Sequence, residues 1–281
     1  MKLAVHGVSD RGLVRPHNED CLLVEPDRGL FAVADGMGGH AAGEVASRLA
    51  IEAVREVFEE IPEEGDEVIA RIQAAIERAN RNIAERILSQ PECRGMGTTL
   101  VMCVTRDDRF WVAHVGDSRA YLLRGDAIRQ LTTDHSFVNE LVRLGMLSRE
   151  EAARDPRRNV VTRALGSGAP VAPDIYEDRW RAGDRLLLCS DGLNTMVGDD
   201  EILRIVREAG DDVGRAVDEL VAAALAGGGE DNVTVVLAAM VPRAETDEQD
   251  DQPEDTGVIE PPEPAERPLA RPDGEDAPAD C

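Results

Sequence analysis

Hydrophobic positions along the chain follow two periods that alternate in blocks. Short apolar runs of strand length come first, at residues 3–9, 21–25 and 30–34, the last two separated by the turn-forming "EPDRG". Residues 42–61 then switch to a helical period, with Val45, Leu49, Ala53, Val54, Val57, Phe58 and Ile61 on one stripe. Residues 66–89 repeat it with Ile69, Ile72, Ile76, Ile83 and Ile87. A second block of strands follows: "TTLVMCVTR", "RFWVAHVG", "RAYLLRG" and "AIRQLT" predict a meander. Residues 136–155 predict helix, but polar and loosely packed, and "DIYEDRWRAGDRLLLCS" predicts a hairpin. Two more helices are predicted at 199–208 and 213–226, and a last strand at "NVTVVLAAM". Strands grouped with strands, and helices paired with helices, argue against βαβ units and a parallel sheet. The expected class is α+β, two antiparallel sheets packed together with helix pairs outside.

Composition changes at Pro242. Residues 242–281 hold 14 acidic and 3 basic side chains among prolines and alanines, a net charge of −11 in a chain of −25. So few apolar residues cannot offset the entropy of ordering, so this stretch is expected to be a disordered acidic tail on a folded domain of residues 1–241. The domain itself keeps a charge of −14. The chain's net charge of −25 argues against nucleic acid, which needs a basic surface, and against anionic lipid. "MKLAVHGVSD" has no apolar core of secretory length, and Val233–Val241 is too short to span a bilayer. The five cysteines, Cys21, Cys93, Cys103, Cys189 and Cys281, show no zinc-type spacing. These features predict a cytoplasmic monomer with reduced thiols.

The chemistry is concentrated where strands end. "LFAVADGMGGH" drives an apolar run into Asp35 and three glycines, and "RLLLCSDG" ends another in Asp191-Gly192. "GGGEDNVTVVL" places Asp231 just before the last strand, "RPHNEDCLLV" places Glu19 and Asp20 before an early one, and "WVAHVGDSRAYLL" sets Asp117 at a tight turn. One Asp-Gly pair reads as a hairpin turn. Recurrence at remote strand ends points instead to carboxylates converging at one end of two packed sheets. Converging carboxylates repel unless cations neutralise them, and hard divalent ions with oxygen ligands suit this donor set. Gly36 would let its carbonyl approach a metal that a Cβ would crowd. Arg15, four residues before Glu19, is placed to bind an incoming phosphate bidentately.

Together, "SDRGLVRPHNED", "ADGMGGHAAGE", "GMGTTL", "VGDSRAYL", "LTTDHSFVNELVRLG", "NVVTRALG", "LLLCSDGL" and "DNVTVV" resemble the protein phosphatase 2C family, the metal-dependent serine/threonine phosphatases, in their bacterial form. The motifs stand in the family's order and cover most of residues 8–236. The resemblance implies an α/β/β/α sandwich holding two Mn²⁺ or Mg²⁺ ions, with Asp20, Asp35, Asp191 and Asp231 as direct ligands. It also implies that Gly36 contributes its carbonyl, that Glu19 acts through water, and that Asp117 with Asp191 forms a third-ion site. Arg15 becomes the phosphate-binding arginine, and residues 134–165 a mobile flap. The implied reaction is hydrolysis of phosphoserine and phosphothreonine by direct attack of a metal-bridging hydroxide. The implied partners are phosphorylated proteins, among them serine/threonine kinases or their substrates. The leaving alkoxide takes its proton from a metal-bound water or a histidine. His40 is the nearest by sequence, and an equal reading has it only capping or packing at a helix start.

Two rivals remain. "CVTRDDR", Cys103 to Arg109, matches the C-x5-R of a cysteine-dependent phosphatase. A phosphate cradle needs free N–H groups at a helix start, however, and Asp107 and Asp108 would repel the anion. A non-catalytic phosphoprotein-binding module of the same fold would be signalled by lost ligand positions, and none is lost.

Overall fold

The computed structural model describes residues 2–38, 42–60, 67–152 and 154–241. The elements in order are β1 (Lys2–Asp10), β2 (Asp20–Glu25), β3 (Leu30–Met37), α1 (Ala42–Glu60), α2 (Val68–Ser89), β4 (Gly97–Thr98), β5 (Leu100–Arg106) and β6 (Arg109–Val115). There follow β7 (Arg119–Arg124), β8 (Ala127–Gln130), α3 (Phe137–Arg143), α4 (Arg149–Ala152), β9 (Asp174–Arg179), β10 (Arg185–Cys189), α5 (Asp191–Asn194), α6 (Asp199–Ala209), α7 (Val213–Ala226) and β11 (Val233–Val241). One sheet has the order β1-β11-β10-β7-β8 and the other β2-β3-β5-β6-β9, with β4 added to β3; the pairings are antiparallel. The expected acidic tail, 242–281, and Ile61 lie outside the described residues.

Three apolar layers separate four layers of structure, and alternation along each strand creates them. On β3, Leu30, Ala32 and Ala34 meet α1 and α2, whereas Phe31 and Val33 face the opposite sheet. β5 divides the same way, Leu100, Met102 and Val104 outward and Val101 and Cys103 inward. In the other sheet, Leu187 and Cys189 of β10 and Val233, Val235 and Leu237 of β11 pack on α6 and α7, with Leu186, Leu188, Val236 and Ala238 between the sheets. Strands buried on both faces need apolar residues at every position, which is why they read as unbroken runs. The α/β/β/α sandwich results.

Three local expectations fail. The helix predicted over 136–155 is two short ones, α3 and α4, with 144–148 non-helical between them. The predicted meander is not one sheet: β5 and β6 belong to one, β7 and β8 to the other, and β6 takes β9 rather than β7 as its second partner. The predicted hairpin of β9 and β10 is likewise two strands in different sheets. Trp180 explains the second crossing. It sits between the strands, 6% exposed, with its ring 4.9 Å from that of Phe110 and its Nε1 donating to Thr105 Oγ1 at 2.7 Å. Its backbone N–H donates to Asp108 O at 2.7 Å. Arg124 completes the corner through Asp184, at 2.7 Å, and Arg179 O. Burying one indole at the seam outweighs the local tendency of "RAGD" to close a hairpin.

Trp180→Ala should therefore cost about 3–5 kcal/mol in denaturant unfolding. Trp180→Phe, which keeps the ring contact but not the hydrogen bond, should cost less. A loss below about 1 kcal/mol for the alanine variant would show that the crossing is held elsewhere.

Candidate metal centre

Strand register carries the acidic residues to one end of the sandwich. Asp20 opens β2 directly opposite Asp35 on β3, and Val33 two residues earlier pairs with Val101 at the start of β5. In the other sheet Cys189, at the end of β10, stands opposite both Val235 of β11 and Arg119 of β7. Asp191, Asp231 and Asp117, each two residues outside those strands, are thereby gathered from both sheets. Glu19 comes with Asp20.

Hydroxyl and amide side chains hold this end together. Asp20 is 9% exposed and accepts from Ser190 Oγ at 2.8 Å and Thr234 Oγ1 at 2.6 Å, both from the opposite sheet. Asp35 is fixed through its backbone: its N–H donates to Thr99 Oγ1 at 3.0 Å and its carbonyl accepts from Thr98 Oγ1 at 2.8 Å. Thr99 Oγ1 also bonds Ser118 Oγ at 2.7 Å, which ties the Asp117 turn to β3. Asn232 stitches the segment 11–19 to β11. Its Oδ1 accepts from Glu19 N at 2.8 Å, and its Nδ2 donates to the carbonyls of Arg11 and His17. Ser190, Thr234, Thr99 and Asn232 were missed as site residues. Their motif positions carried a signal, but a short hydroxyl says nothing about its partner until the sheets are paired.

The Asp-Gly pairs are not hairpin turns. Gly36 lies inside β3 and Gly192 inside α5, and neither has positive φ. Each is glycine because another backbone presses against it. A Cβ on Gly36 would overlap the carbonyl oxygens of Gly43 and Glu19, and one on Gly192 that of Asn232. Crowding by protein backbone therefore demands the glycine at 36 before any metal is considered.

The electrostatics are those of uncompensated like charge. Burial, with Asp191 and Asp231 nearby, pushes the Asp20 carboxyl up to about 7 despite its two hydroxyl donors. Burial and the fields of Asp20, Asp191, Asp117 and Asp231 hold Asp35 well above the carboxylate range. Burial and then Asp191 raise Asp117 to about 7. Burial and Asp231 raise Asp191 to about 6, against the pull of Arg15 and Arg119. Glu19 is raised by burial, with Arg15 pulling it back. Arg15, expected to await a phosphate, is bonded to Asp231 Oδ2 at 2.6 Å, with half its side chain exposed. A cluster of oxygen donors whose pKa values are raised by burial and, to a lesser extent, by one another fits divalent cations, which replace protons on the carboxylates they bind.

His40 lies outside the described residues. No three of the strand-end carboxylates have ligating atoms all within 4.8 Å of one another; among the described residues the one group of three or more His, Cys, Asp or Glu side chains that close together is His114, His135 and Asp174, absent from the sequence candidates. Its hydrogen bonds argue against a metal. Gly116 N–H donates to His135 Nδ1 at 3.0 Å, so the proton of the neutral ring sits on Nε2, which faces Asp174 Oδ2 at 3.4 Å. A cation on Nε2 would force a proton onto Nδ1 against the Gly116 N–H. The stacked imidazoles, 4.6 Å apart, instead anchor the root of segment 134–165. Cys103 lies fully buried in β5, where burial alone pushes its thiol well above the usual range, and no helix begins beside it.

Residues 16–226 match the sequence profile described as protein phosphatase 2C. The chain is 45% identical over 233 residues to the serine/threonine protein phosphatase PstP of Mycobacterium tuberculosis, covering 83% of this chain and 44% of that protein. It is thus similar to less than half of that relative's length. It is 40% identical over 234 residues to the serine/threonine phosphatase stp of Listeria innocua, covering 82% and 92%. A crystal structure of the catalytic domain of PstP in complex with two manganese ions superposes with a TM-score of 0.77 at 43% identity, over 85% of this chain and 99% of that one.

The raised carboxyls predict a pH dependence for the metal-free protein. A group whose folded pKa exceeds its unfolded value binds its proton more tightly when folded, so its stabilising contribution is complete below the unfolded pKa, about 4. It is lost as pH rises through the folded values of about 6 and 7. The melting temperature without metal should fall between about pH 4 and pH 7, and Mn²⁺ should raise it more at pH 8 than at pH 5. A metal-free melting temperature that climbs steadily across that window would contradict the electrostatic picture.

Proposed function

The chain belongs to the protein phosphatase 2C family, and on that premise we propose that it is a metal-dependent protein serine/threonine phosphatase. The observation that carries this reading is the convergence of Asp20, Asp35, Asp191 and Asp231 from two sheets with too little positive charge to balance them. In this reading those four carboxylates and the Gly36 carbonyl hold two divalent cations, Mn²⁺ or Mg²⁺. Glu19 orients water, and Asp117 with Asp191 offers a third position. The fit of the oxygen donor set and the two-manganese structure of a relative support the assignment. Such cations, when bound, supply Lewis acidity at a phosphoryl group and water acidic enough to ionise near neutral pH.

The chain's own residues do the positioning. Ser190 and Thr234 both donate to one oxygen of Asp20, and among the described residues its other oxygen has no hydrogen-bond partner. Thr98 and Thr99 fix the backbone of Asp35. Arg15 has five donors, of which the contact to Asp231 uses one, so it can meet the non-bridging phosphoryl oxygens without abandoning that carboxylate. Every carboxylate of the set comes from one chain, so a monomer suffices. The reading as a non-catalytic binding module gains nothing, since no ligand position lacks its oxygen donor. The natural substrates are proposed to be phosphorylated proteins, with serine/threonine kinases or their targets among them. Free thiols at Cys21, Cys93, Cys103 and Cys189 support a reducing, cytoplasmic setting. Among the described residues no helix is long and apolar enough to cross a membrane. The domain boundary near residue 241 is proposed on the composition change there.

Phosphate release from a small aryl phosphate and from a phosphothreonine peptide should require Mn²⁺ or Mg²⁺ and stop with chelator. Asp191→Asn should lower turnover at saturating metal by more than about a hundredfold, since supporting residues around a metal alone account for ten- to a hundredfold. Near wild-type turnover in that variant would remove Asp191 from the site. Arg15→Ala should raise KM, lower kcat and reduce kcat/KM by about ten- to a hundredfold, the worth of a charge-assisted pair. Unchanged kinetics on a phosphopeptide would confine Arg15 to its contact with Asp231.

A further inference from the structure

A cavity of about 590 Å³ opens beside the carboxylate cluster, between the sheets' acidic end and segment 134–165. Asp117 and Asp191 line it on the cluster side, and Arg149 and Arg158 line it on the segment side. The segment is rooted firmly. His135 N–H donates to Gly116 O at 2.9 Å, Thr162 N–H to His135 O at 2.8 Å, and Phe137 N–H to Val160 O at 2.8 Å. Arg119 pins Asp134 through Nε and Nη2, the latter at 2.7 Å, and spends Nη1 on Tyr121 Oη. Arg119 therefore has little left to offer a ligand.

Among the described arginines of the segment, Arg149, Arg154 and Arg158 have no ion-pair partner, and of these three Arg149 and Arg158 line the cavity. Arg143 pairs with Glu140, Arg157 with Asp155 and Arg163 with Asp174. Arg149 and Arg158 are both exposed, and the cavity they border has carboxylates on its far wall. In a domain of net charge −14, long-range forces repel an acidic ligand. Two uncommitted guanidinium groups next to the reacting centre create a local exception, and a guanidinium prefers a carboxylate or phosphate as its partner.

We propose that Arg149 and Arg158 form a second anion subsite, which selects phosphopeptides carrying a further anionic group near the phosphoresidue. This rests on the phosphatase reading above: the phosphoryl group to be hydrolysed occupies the carboxylate end, and the flanking anion occupies the arginine end of the same cavity. The shared chemistry is an oxyanion, supplied by an aspartate or glutamate side chain or by a second phosphate. Because the contact is remote from the reacting bond, it acts on substrate and transition state alike and appears in KM.

The test is a series of phosphothreonine peptides assayed with the full chain at saturating Mn²⁺. One peptide has only neutral residues, and others carry a glutamate pair, a lysine pair or a non-hydrolysable phosphonate stepped along either side. For the best glutamate or phosphonate position, kcat/KM should exceed that of the neutral peptide by about fivefold, as expected for two solvent-exposed pairs. Comparing the glutamate and phosphonate arms identifies the oxyanion preferred. The ratio of acidic to neutral peptide should fall to near one in the Arg149→Gln/Arg158→Gln variant and invert towards the lysine peptides in Arg149→Glu/Arg158→Glu. The wild-type ratio should also shrink as salt is raised. Each ratio is internal to one protein, so reduced folding or metal loading does not mimic the effect. Equal kcat/KM across the whole wild-type series, or a preference that survives in the glutamine variant, overturns the subsite. Absence of metal-dependent turnover on every peptide and on an aryl phosphate would instead sink the phosphatase reading itself.

Discussion

The burial of neighbouring carboxylates is the constraint around which the rest of this structure is arranged. Asp20, Asp35, Asp117 and Asp191 occupy one end of a sandwich whose interior cannot hydrate them, and burial is the largest cause of the raised pKa of each. Without cations the cluster must keep protons or strain the sheets apart. The fold supplies the opposing force: three apolar layers, two under helix pairs and one between the sheets, hold the strand ends in place. The site is therefore a store of unfavourable electrostatic energy held by hydrophobic burial, and cations of the right charge and hardness release it.

The smaller polar groups direct that energy. Ser190 and Thr234 reach from one sheet to Asp20 on the other, so the least exposed of these carboxylates also fixes how the sheets meet at this end. Asn232 binds Glu19 and the backbone of the segment that carries Arg15. Gly36 and Gly192 permit the backbone contacts that bring Glu19, Gly43 and Asn232 so close. An active centre of this kind depends on short side chains as much as on its acids, since longer ones would push the two sheets apart.

Much of this was legible beforehand. The unbroken apolar runs of β3, β5, β10 and β11 follow from burial on both faces, and the paired helical stripes follow from covering each sheet on its outer side. The acidic residues at the strand ends were visible because carboxylates rarely follow such runs. What failed was the assignment of strands to sheets. Sequence-local pattern cannot tell whether "RFWVAHVG" and "RAYLLRG" pair with each other or turn from one sheet to the other, since both arrangements bury the same residues. Trp180 decides the β9–β10 crossing through a contact with Phe110, 70 residues distant in the chain. Gly36 has a further reason that the sequence did not show, because the pressing backbones of Glu19 and Gly43 come from neighbouring elements. Ser190 and Thr234 acquire their role only once β10 and β11 are set against β2.

The central claim is that this end of the molecule holds protons in place of cations until metal arrives. Calorimetric titration of Mn²⁺ into the metal-free protein, repeated in buffers of different ionisation enthalpy, counts the protons released per ion bound. Carboxyls lying at about 6 and 7 predict substantial proton release at pH 6.5, diminishing towards zero by about pH 8. Tight binding with no proton release at pH 6.5 would mean that the carboxylates are already ionised and compensated, and would contradict the account.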